Sequence, residues 1–527
     1  MKKALISLLI IISAFFIVAM GQPARSMTCS ICASIFGYAL FWKISLSLEN
    51  KKQRFFISTI WFIVVQAVQL SWMTSIDYVG AGLLAAYAVL CILFGLQFGL
   101  LTILVNKKRL QKSNSLFAIA GCWVILEWSR LFILCGFTFN PSGLALAHSP
   151  LTTQIASIGG VFGLSFIVIA TNLALLRVWL APRKILNYCL LIALIALPYI
   201  FGIYHQKKAT SERKELNILL VQPGLKLNQK MRFPGMEEHY LSPFIQWNRI
   251  LAILGKHKNE KIDIILMPES TVPLPAQAKI YPSNVVSNSL KTFLFKETAP
   301  ELKNFDEKYI SNADYAQYIS EFFQADVVIG MENISEKGAY ASAFVFQPGQ
   351  ENPKIYNKRV LVPIGEYLPF QWLKKLAAKY GVESFFEHGQ SPLIIKHPKV
   401  KYALSICYED TFGELNRKNK LLGAGLLLNL TNDNWYPNSK LREQHYSLAR
   451  LRTVENGIPI ARACNTGISA VVDAYNNEIK ALYEEYNGES SLVSVPLDQY
   501  NTFYSRYGDA GIILLSFSLL ITFIRRK

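Results

Sequence analysis

Long apolar segments constrain the fold of this chain more than any other feature of its sequence. Eight segments carry few charges and have lengths near the roughly 20 residues that span a bilayer as a helix. They cover residues 4–20, 28–47, 55–74, 80–105, 116–137, 153–181, 186–204 and 510–524. The sequence therefore predicts a helical membrane domain of about seven spans at residues 1–204, and an eighth span near the end of the chain.

The overall composition excludes an ordinary soluble protein. Of the 527 residues, 52% are hydrophobic, and the mean hydropathy is +0.26. The formal net charge of +18 could indicate a nucleic-acid partner. However, the Lys and Arg residues cluster in short loops beside apolar segments, and the sequence contains no nucleic-acid motif. We therefore expect the bilayer to be the partner, and no nucleic acid.

The positions of the positive charges predict how the chain is oriented, because cytoplasmic loops carry an excess of Lys and Arg. The clusters that fall on one side are Lys2 and Lys3; Lys51, Lys52 and Arg54; Lys107, Lys108, Arg109 and Lys112; Arg183 and Lys184; and Arg525, Arg526 and Lys527. Residues 205–509 are then on the non-cytoplasmic face. Residues 510–527 form the last span and a basic cytoplasmic tail.

Residues 205–509 alternate between strand-like and helix-like segments. Short apolar runs such as those at 262–268, 402–407 and 425–431 are typical of buried strands. Helical patterns occur at 236–256, 312–324 and 440–457. This alternation predicts an α/β domain with buried strands.

Three positions in this domain carry candidate catalytic groups. Cys407 follows the apolar run at 402–406, and a thiol at a strand end can act as a nucleophile if a base accepts its proton. Glu269 follows another apolar run, where few polar neighbours should raise its pKa. Lys358 precedes a turn at 363–366, and a fixed ammonium can stabilise an oxyanion. Each also has a structural explanation when taken alone: a core cysteine, a helix-capping acid and a surface lysine.

Together, in the order Glu, Lys, Cys, these residues resemble the triad of the carbon–nitrogen hydrolase, or nitrilase, superfamily. The motifs are MPES, YNKRVLVPIGEYLPF and ICYED, followed by LLLNLTNDNWYPNS at 426–439 and RACNTGISAVVD at 462–473. Within that superfamily the chain resembles the apolipoprotein N-acyltransferase family. The features in common are VPIGEYLPF, TFYSRYGD at 502–509 and membrane segments on both sides of the domain.

The resemblance implies a fold, a reaction and a location. The extramembrane domain would be an αββα sandwich, placed on the periplasmic side of the bacterial inner membrane. Glu269, Lys358 and Cys407 would move an acyl chain from a phospholipid, through a thioester, to the N-terminal amine of a diacylglyceryl apolipoprotein. The family positions that shape the site correspond to Glu366, Tyr408, Glu409 and Trp435. No cofactor or metal is implied, and we expect a monomer.

Two other functions remain open from the residues themselves. A membrane-tethered amidase or nitrilase-type hydrolase would use the same triad but pass the acyl group to water. A transporter would need functional ionisable groups in mid-membrane. Glu127 and Arg130 are the main ones in this chain, and we interpret them as a structural ion pair. His445 is an alternative base for Cys407, although we expect it at the surface or in a cap.

Several segments outside the triad carry further expectations. Residues 1–21 also fit a signal peptide, and the predicted topology is the same with or without its cleavage. Phe233 lies about where the family has a tryptophan over the acyl site. The interval that contains residues 284–325 is longer than is usual in the family. Apolar residues at 368–373, 384–386 and 434–437 predict a mouth that opens toward the lipid.

Overall fold

The computed structural model describes residues 2–207, 214–233, 235–294, 308–369 and 385–525. The chain divides into two compact units. The first unit contains Met1–Thr210, Asn438–Gly457 and Tyr500–Lys527, and the second contains Ser211–Pro437 and Ile458–Gln499. The segments at 438–457 and 500–509 thus fold with the first unit, and the bounds 1–204, 205–509 and 510–527 stay a prediction about the membrane and extramembrane parts.

The first unit is helical. Its α-helices are Lys2–Ala19, Met27–Cys32, Tyr38–Ser45, Lys51–Gln69, Leu83–Leu104, Lys107–Leu110, Ser113–Ser129, Pro150–Thr153, Ala156–Leu180, Ile185–Gln206, Leu441–Asn456, Phe503–Tyr507 and Ala510–Arg525. A π-helical turn, Ala33–Gly37, joins the second helix to the third. Shorter 3-10 helices lie at Ser71–Thr74, Arg130–Phe132 and Ser142–Leu146.

Each of the eight predicted apolar segments contains a helix. Within the part of the chain that the structure describes, five helices are long and apolar enough to cross a membrane: Met27–Ser45, Leu83–Leu104, Ser113–Phe132, Ala156–Leu180 and Ile185–Gln206. The apolar helices Ala4–Ala19 and Ala510–Arg525 are shorter. The chain is therefore built as a membrane protein, and the number of spans beyond these five stays a prediction.

Glu127 and Arg130 are both buried in the first unit, each 2% exposed. They bind different partners. Glu127 Oε1 accepts a hydrogen bond from the Ser142 backbone N–H at 2.7 Å. Arg130 Nε donates to Gln97 Oε1 at 2.8 Å, and its guanidinium lies 4.1 Å from the centre of the Phe94 ring. These contacts tie neighbouring helices together, which agrees with a structural role, but each side chain is held by a different partner, so the predicted ion pair between Glu127 and Arg130 is wrong.

The helix Ala156–Leu180 is broken at Gly160, where φ is 60° and ψ is −162°. This conformation is essentially restricted to glycine. The break frees the Val161 backbone N–H, which donates to Glu455 Oε1 at 3.0 Å. Arg452 donates to the same oxygen at 3.0 Å. The helix Leu441–Asn456, which carries both residues, is thereby anchored to the broken helix inside the first unit.

The second unit is an α/β sandwich. Its strands are β1 Glu215–Gln222, β2 Ile264–Leu266, β3 Tyr281–Pro282, β4 Tyr309–Ile310, β5 Asp326–Ser335, β6 Gly338–Phe346, β7 Lys354–Asn357, β8 Ile394–Lys396, β9 Lys401–Ile406, β10 Leu426–Thr431, β11 Ile460–Cys464, β12 Ser469–Val472, β13 Glu478–Leu482 and β14 Glu489–Pro496. Its α-helices are Leu227–Lys230, Pro243–Gly255, Ser283–Phe293, Asn312–Phe323 and Gly413–Leu421. Its 3-10 helices are Glu237–His239, Cys407–Thr411 and Asp433–Trp435.

Two six-stranded sheets form the middle of this unit. Their strand orders are β14-β1-β2-β5-β6-β7 and β13-β12-β11-β10-β9-β8. In each sheet three central strands are parallel, namely β1, β2 and β5 in the first and β9, β10 and β11 in the second. Antiparallel strands flank them on both sides.

Alternating side chains of the strands build two apolar cores. One core lies between the sheets, where Ile218 and Leu266 of the first sheet pack with Leu404 and Leu428 of the second. The other core packs the opposite face of the first sheet against helices and includes Ile265 and Trp247. Strands covered on both faces have unbroken apolar sequences, which is why they are recognisable in the chain. The predicted fold class, apolar helices plus an α/β domain of nitrilase type, is confirmed.

Candidate active site

The candidate triad is placed by the ends of three strands. Glu269 follows β2, Lys358 follows β7 directly, and Cys407 follows β9 directly. Lys358 Nζ lies 2.9 Å from Glu269 Oε1, and the Cys407 thiol is close enough to both groups to interact with their charges. The structure thus brings together three side chains that lie up to 138 positions apart in the sequence, from 269 to 407.

Lys358 is completely buried and is held along its whole length. Its backbone N–H donates to the Ala341 carbonyl at 2.9 Å, and its carbonyl accepts from the Gly389 N–H at 2.7 Å. Its Nζ also donates to Glu366 Oε1 at 2.5 Å. The ammonium is therefore fixed between two carboxylates instead of being a solvated surface group.

Cys407 starts a 3-10 helix and has a φ of 49°, which is uncommon for a residue with a side chain. Backbone strain of this kind is typical of functional sites. Cys407 as a whole is partly exposed, and its carbonyl accepts a hydrogen bond from Asn429 Nδ2 at 3.3 Å. The turn thus places the sulfur atom at the end of β9. A hydrogen bond from Asn429 on β10 holds the Cys407 backbone.

The charges around the site set its resting protonation. Burial raises the pKa of Cys407 well above its ordinary value, and the Glu269 carboxylate raises it further against the opposing Lys358. Burial also raises the pKa of Glu269, although Lys358 opposes that effect. Burial alone would lower the pKa of Lys358, but Glu269 and Glu366 raise it well above its ordinary value. The site at rest therefore holds a thiol, a nearby base and a permanent cation.

Glu366 and Glu409 support the triad from different sides. Glu366 holds Lys358 with one oxygen and accepts from the Val362 N–H with the other at 2.8 Å. Glu409 is fully buried, and its carboxylate hydrogen-bonds residues next to the triad in the chain. It accepts from the backbone N–H groups of Arg359 at 2.6 Å and Ile406 at 2.8 Å. Glu409 therefore ties the residue after Lys358 to the residue before Cys407.

Tyr408 and Trp435 lie on the two 3-10 turns that follow β9 and β10. Tyr408 is 9% exposed, and its ring packs edge-on against Phe412 with 4.9 Å between the ring centres. Trp435 is partly exposed at the end of the turn Asp433–Trp435. Tyr408 directly follows Cys407 in the chain, and the contribution of both residues to substrate binding stays a prediction.

A group of buried polar residues near Cys407 has no role predicted from the sequence patterns. Arg462 on β11 is 1% exposed and lies 3.2 Å from both Asp410 Oδ2 and Asp433 Oδ2. This ion pair links the turn of Cys407 to the turn of Trp435. Burial, together with the Cys407 charge, raises the pKa of the neighbouring Tyr436 to about 12. The three charged residues all lie in the family motifs quoted above, but the sequence alone does not indicate that they contact one another.

Other predicted positions are placed elsewhere or fall outside the described residues. His445 belongs to the first unit, 2% exposed, with its ring centre 6.2 Å from that of Phe139, so the expected surface position is wrong. Phe233, the candidate for the aromatic residue over the acyl site, is partly exposed. Residues 370–384, which include parts of two of the three predicted lipid-facing segments, lie outside the described residues, as do residues 295–307 of the long interval. The described residues contain no group of three or more His, Cys, Asp or Glu side chains that could hold a metal ion.

Comparison with known proteins gives matches for both units. Two family models match, described as the apolipoprotein N-acyltransferase N-terminal domain at residues 6–174 and as carbon-nitrogen hydrolase at residues 246–498. A Chlamydia caviae protein named apolipoprotein N-acyltransferase is 32% identical, over 95% of this chain and 94% of its own length. Proteins of the same name from Chlamydia trachomatis and Borreliella burgdorferi are 32% and 28% identical, over 96% and 93% of this chain and 94% and 91% of their own lengths.

Proposed function

This chain belongs to the apolipoprotein N-acyltransferase family, and on that premise we propose that Cys407 carries an acyl chain as a thioester between a phospholipid and a lipoprotein. The protein is an acyltransferase of the carbon–nitrogen hydrolase superfamily and a membrane protein that acts on lipoproteins. The buried Lys358–Glu269 ion pair, with the Cys407 thiol within reach of both charges, is the observation that supports the proposed mechanism most strongly.

In the first half-reaction, Glu269 accepts the proton of the Cys407 thiol. The thiolate attacks the ester carbonyl of the phospholipid, and the Lys358 ammonium and nearby backbone N–H groups stabilise the oxyanion. The C–O bond then breaks, and the proton on Glu269 passes to the oxygen of the leaving lysophospholipid. The acyl group remains on sulfur as a thioester.

In the second half-reaction, the α-amine of diacylglyceryl-cysteine attacks the thioester. An ammonium group cannot attack, so the amine must first lose one proton to solvent. Glu269 accepts a second proton as the C–N bond forms and returns it to the departing Cys407 sulfur. The products are an amide and the free thiol, and the two half-reactions balance without a cofactor.

The specific partners and location are part of the same proposal. The donor is a phospholipid of the surrounding bilayer, and the acceptor is the diacylglyceryl N-terminus of a lipoprotein. The catalytic part faces the periplasm of the bacterial inner membrane, the C-terminus is cytoplasmic, and the chain works as a monomer. The loop charges that predict this orientation support the sidedness.

The experiment that tests this function replaces the nucleophile. We expect Cys407→Ser to lower acyl transfer from labelled phospholipid to a diacylglyceryl lipopeptide by roughly three orders of magnitude or more, because the hydroxyl is a far poorer nucleophile. The control is Cys189→Ser, which changes an exposed thiol outside the site and should leave the rate unchanged. Substantial transfer by Cys407→Ser would contradict the assignment. Release of free fatty acid without an amide product would instead identify the hydrolase considered from the sequence.

A further inference from the structure

Lys230 is a buried lysine beside the candidate active site that the mechanism does not use. It ends the short helix Leu227–Lys230 and is 3% exposed. Its Nζ donates a hydrogen bond to the carbonyl oxygen of Ser270, the residue directly after Glu269. A buried ammonium is costly unless it is paired, so its position next to a catalytic carboxylate requires an explanation.

The turn that carries Glu269 is held on both sides of the carboxylate. Before it, the Pro268 carbonyl accepts from the Gly330 N–H at 3.1 Å, and after it, the Thr271 N–H donates to the Gly330 carbonyl at 2.8 Å. Ser270, between these anchors, has a φ of 45°, a conformation that is uncommon for serine. The Lys230 ammonium binds the carbonyl of this strained residue and therefore fixes the part of the turn that β5 does not hold.

Lys230 also contributes charge. The site contains two carboxylates, Glu269 and Glu366, around the single ammonium of Lys358. Burial lowers the pKa of Lys230 to about 7, and attraction by Glu269 opposes that effect. Below about pH 7, Lys230 is therefore a second cation close to the carboxylate that has to be ionised before it can accept the thiol proton.

We propose that Lys230 is a positioning residue for the general base: it holds the Ser270 carbonyl and supplies positive charge that favours the carboxylate form of Glu269. This inference rests on the proposed function, because it requires Glu269 to accept the Cys407 proton. It assigns to the second cation the task of keeping the base ionised, whereas Lys358 stabilises the oxyanion.

The test measures how fast Cys407 reacts with iodoacetamide as a function of pH. The full-length protein is used in detergent, and mass spectrometry of the labelled peptides separates Cys407 from the other thiols. The charged groups that act on Cys407 are Glu269, Lys358, Asp433 and Glu366, and Lys230 acts through Glu269. In Lys230→Met, we expect the midpoint of the acid limb to rise by roughly 1 pH unit, since a nearby opposite charge shifts a carboxyl pKa by about that amount or more. Labelling on that limb should then be about 10-fold slower.

Three further variants separate charge from packing. Lys226→Met removes an exposed lysine four residues away, and the midpoint should not move. Lys230→Gln can still donate to the Ser270 carbonyl but has no charge, so the midpoint should rise as it does in Lys230→Met. Lys230→Arg keeps the charge and should keep the wild-type midpoint. If neither neutral variant folds, a midpoint in Lys230→Arg that moves by more than about 0.5 pH unit contradicts the proposal.

The outcomes distinguish this inference from the proposed function. If Glu269→Gln leaves the acid limb of the wild type in place, Glu269 is not the base and the proposed mechanism fails. If Glu269→Gln removes the limb but both neutral variants of Lys230 show the wild-type midpoint, only the role of Lys230 is overturned. A uniform loss of rate at every pH, with an unchanged midpoint, would show that Lys230 serves packing alone.

Discussion

At the scale of single residues, the site depends on buried polar groups that satisfy one another. Lys358 is shared by two carboxylates, and Glu409 accepts four hydrogen bonds, from Ile406, Arg359, Val360 and the Tyr356 hydroxyl. All four of these groups donate a hydrogen bond to Glu409. The side chain at position 409 must therefore accept hydrogen bonds on both of its terminal atoms, which a carboxylate does. Charge-assisted hydrogen bonds of this kind are stronger than neutral ones.

The first prediction at this scale concerns Glu409→Gln. The amide has nearly the same volume but turns an NH2 group toward donors, and we expect the free energy of unfolding to fall by about 2–3 kcal/mol. Acyl transfer should fall as well, because Glu409 joins the segments of Lys358 and Cys407. Denaturation in detergent and the transfer assay measure the two effects. The matched control is Glu414→Gln. The Glu414 side chain is 44% exposed and pairs with Arg417, so this substitution should change the free energy of unfolding by less than about 1 kcal/mol. Equal effects of the two substitutions would contradict this role.

At the scale of secondary-structure elements, the broken helix Ala156–Leu180 is the least ordinary part of the first unit. A Cβ atom at Gly160 would lie 2.4 Å from the Tyr504 ring, in addition to the unfavourable φ of 60°. The break supplies the N–H that binds Glu455. Glycine at this position therefore decides whether the helix Leu441–Asn456 can anchor to the broken helix.

The prediction that belongs to this scale is that Gly160→Ala is strongly destabilising. The added methyl group meets a ring in a conformation that alanine rarely adopts, and we expect a loss of about 3 kcal/mol or more. Gly163→Ala is the control. Gly163 lies in the same helix, and a Cβ atom there would have no other atom within 4 Å. Thermal unfolding of both variants in detergent compares them. Similar melting temperatures for the two would show that the break at Gly160 is not needed.

The sequence predicts elements well where one local pattern determines them. The apolar runs before Glu269 and Cys407 are buried strands, and the helix predicted at 312–324 is observed at Asn312–Phe323. The helix predicted at 236–256 begins only at Pro243, because Ser242 caps it. Long-range partners decide the rest. Lys230 and Arg462 look like ordinary basic residues in the chain, and only tertiary contacts bury them beside carboxylates.

At the scale of the whole molecule, the chain passes repeatedly between the two units. Residues 438–457 leave the second unit between β10 and β11, and they return after the helix Leu441–Asn456 has packed in the first unit. The catalytic unit is therefore not one continuous stretch of sequence. A fragment limited to residues 211–499 would carry a helix that has lost its packing partners.

The orientation of the chain gives the prediction at this scale. We expect a cysteine at Lys337, exposed in the hairpin between β5 and β6, to react with a membrane-impermeant thiol reagent in spheroplasts. A cysteine at Lys52, also exposed, should react only after the membrane is opened, because the loop charges place it in the cytoplasm. Labelling of the unmodified chain gives the background from its own thiols. Labelling at position 52 in spheroplasts, and at position 337 only after the membrane is opened, would contradict the predicted topology.

The central claim is that Cys407 carries the acyl chain, and trapping the thioester tests it most directly. The purified full-length protein is incubated with vesicles of acyl-labelled phospholipid and no acceptor, and the modified residue is identified by mass spectrometry. We predict one acyl group per chain on Cys407, released by neutral hydroxylamine and transferred to the amine when a diacylglyceryl lipopeptide is added. An acyl group on another residue, or amide formation without any acyl-enzyme, would contradict the account.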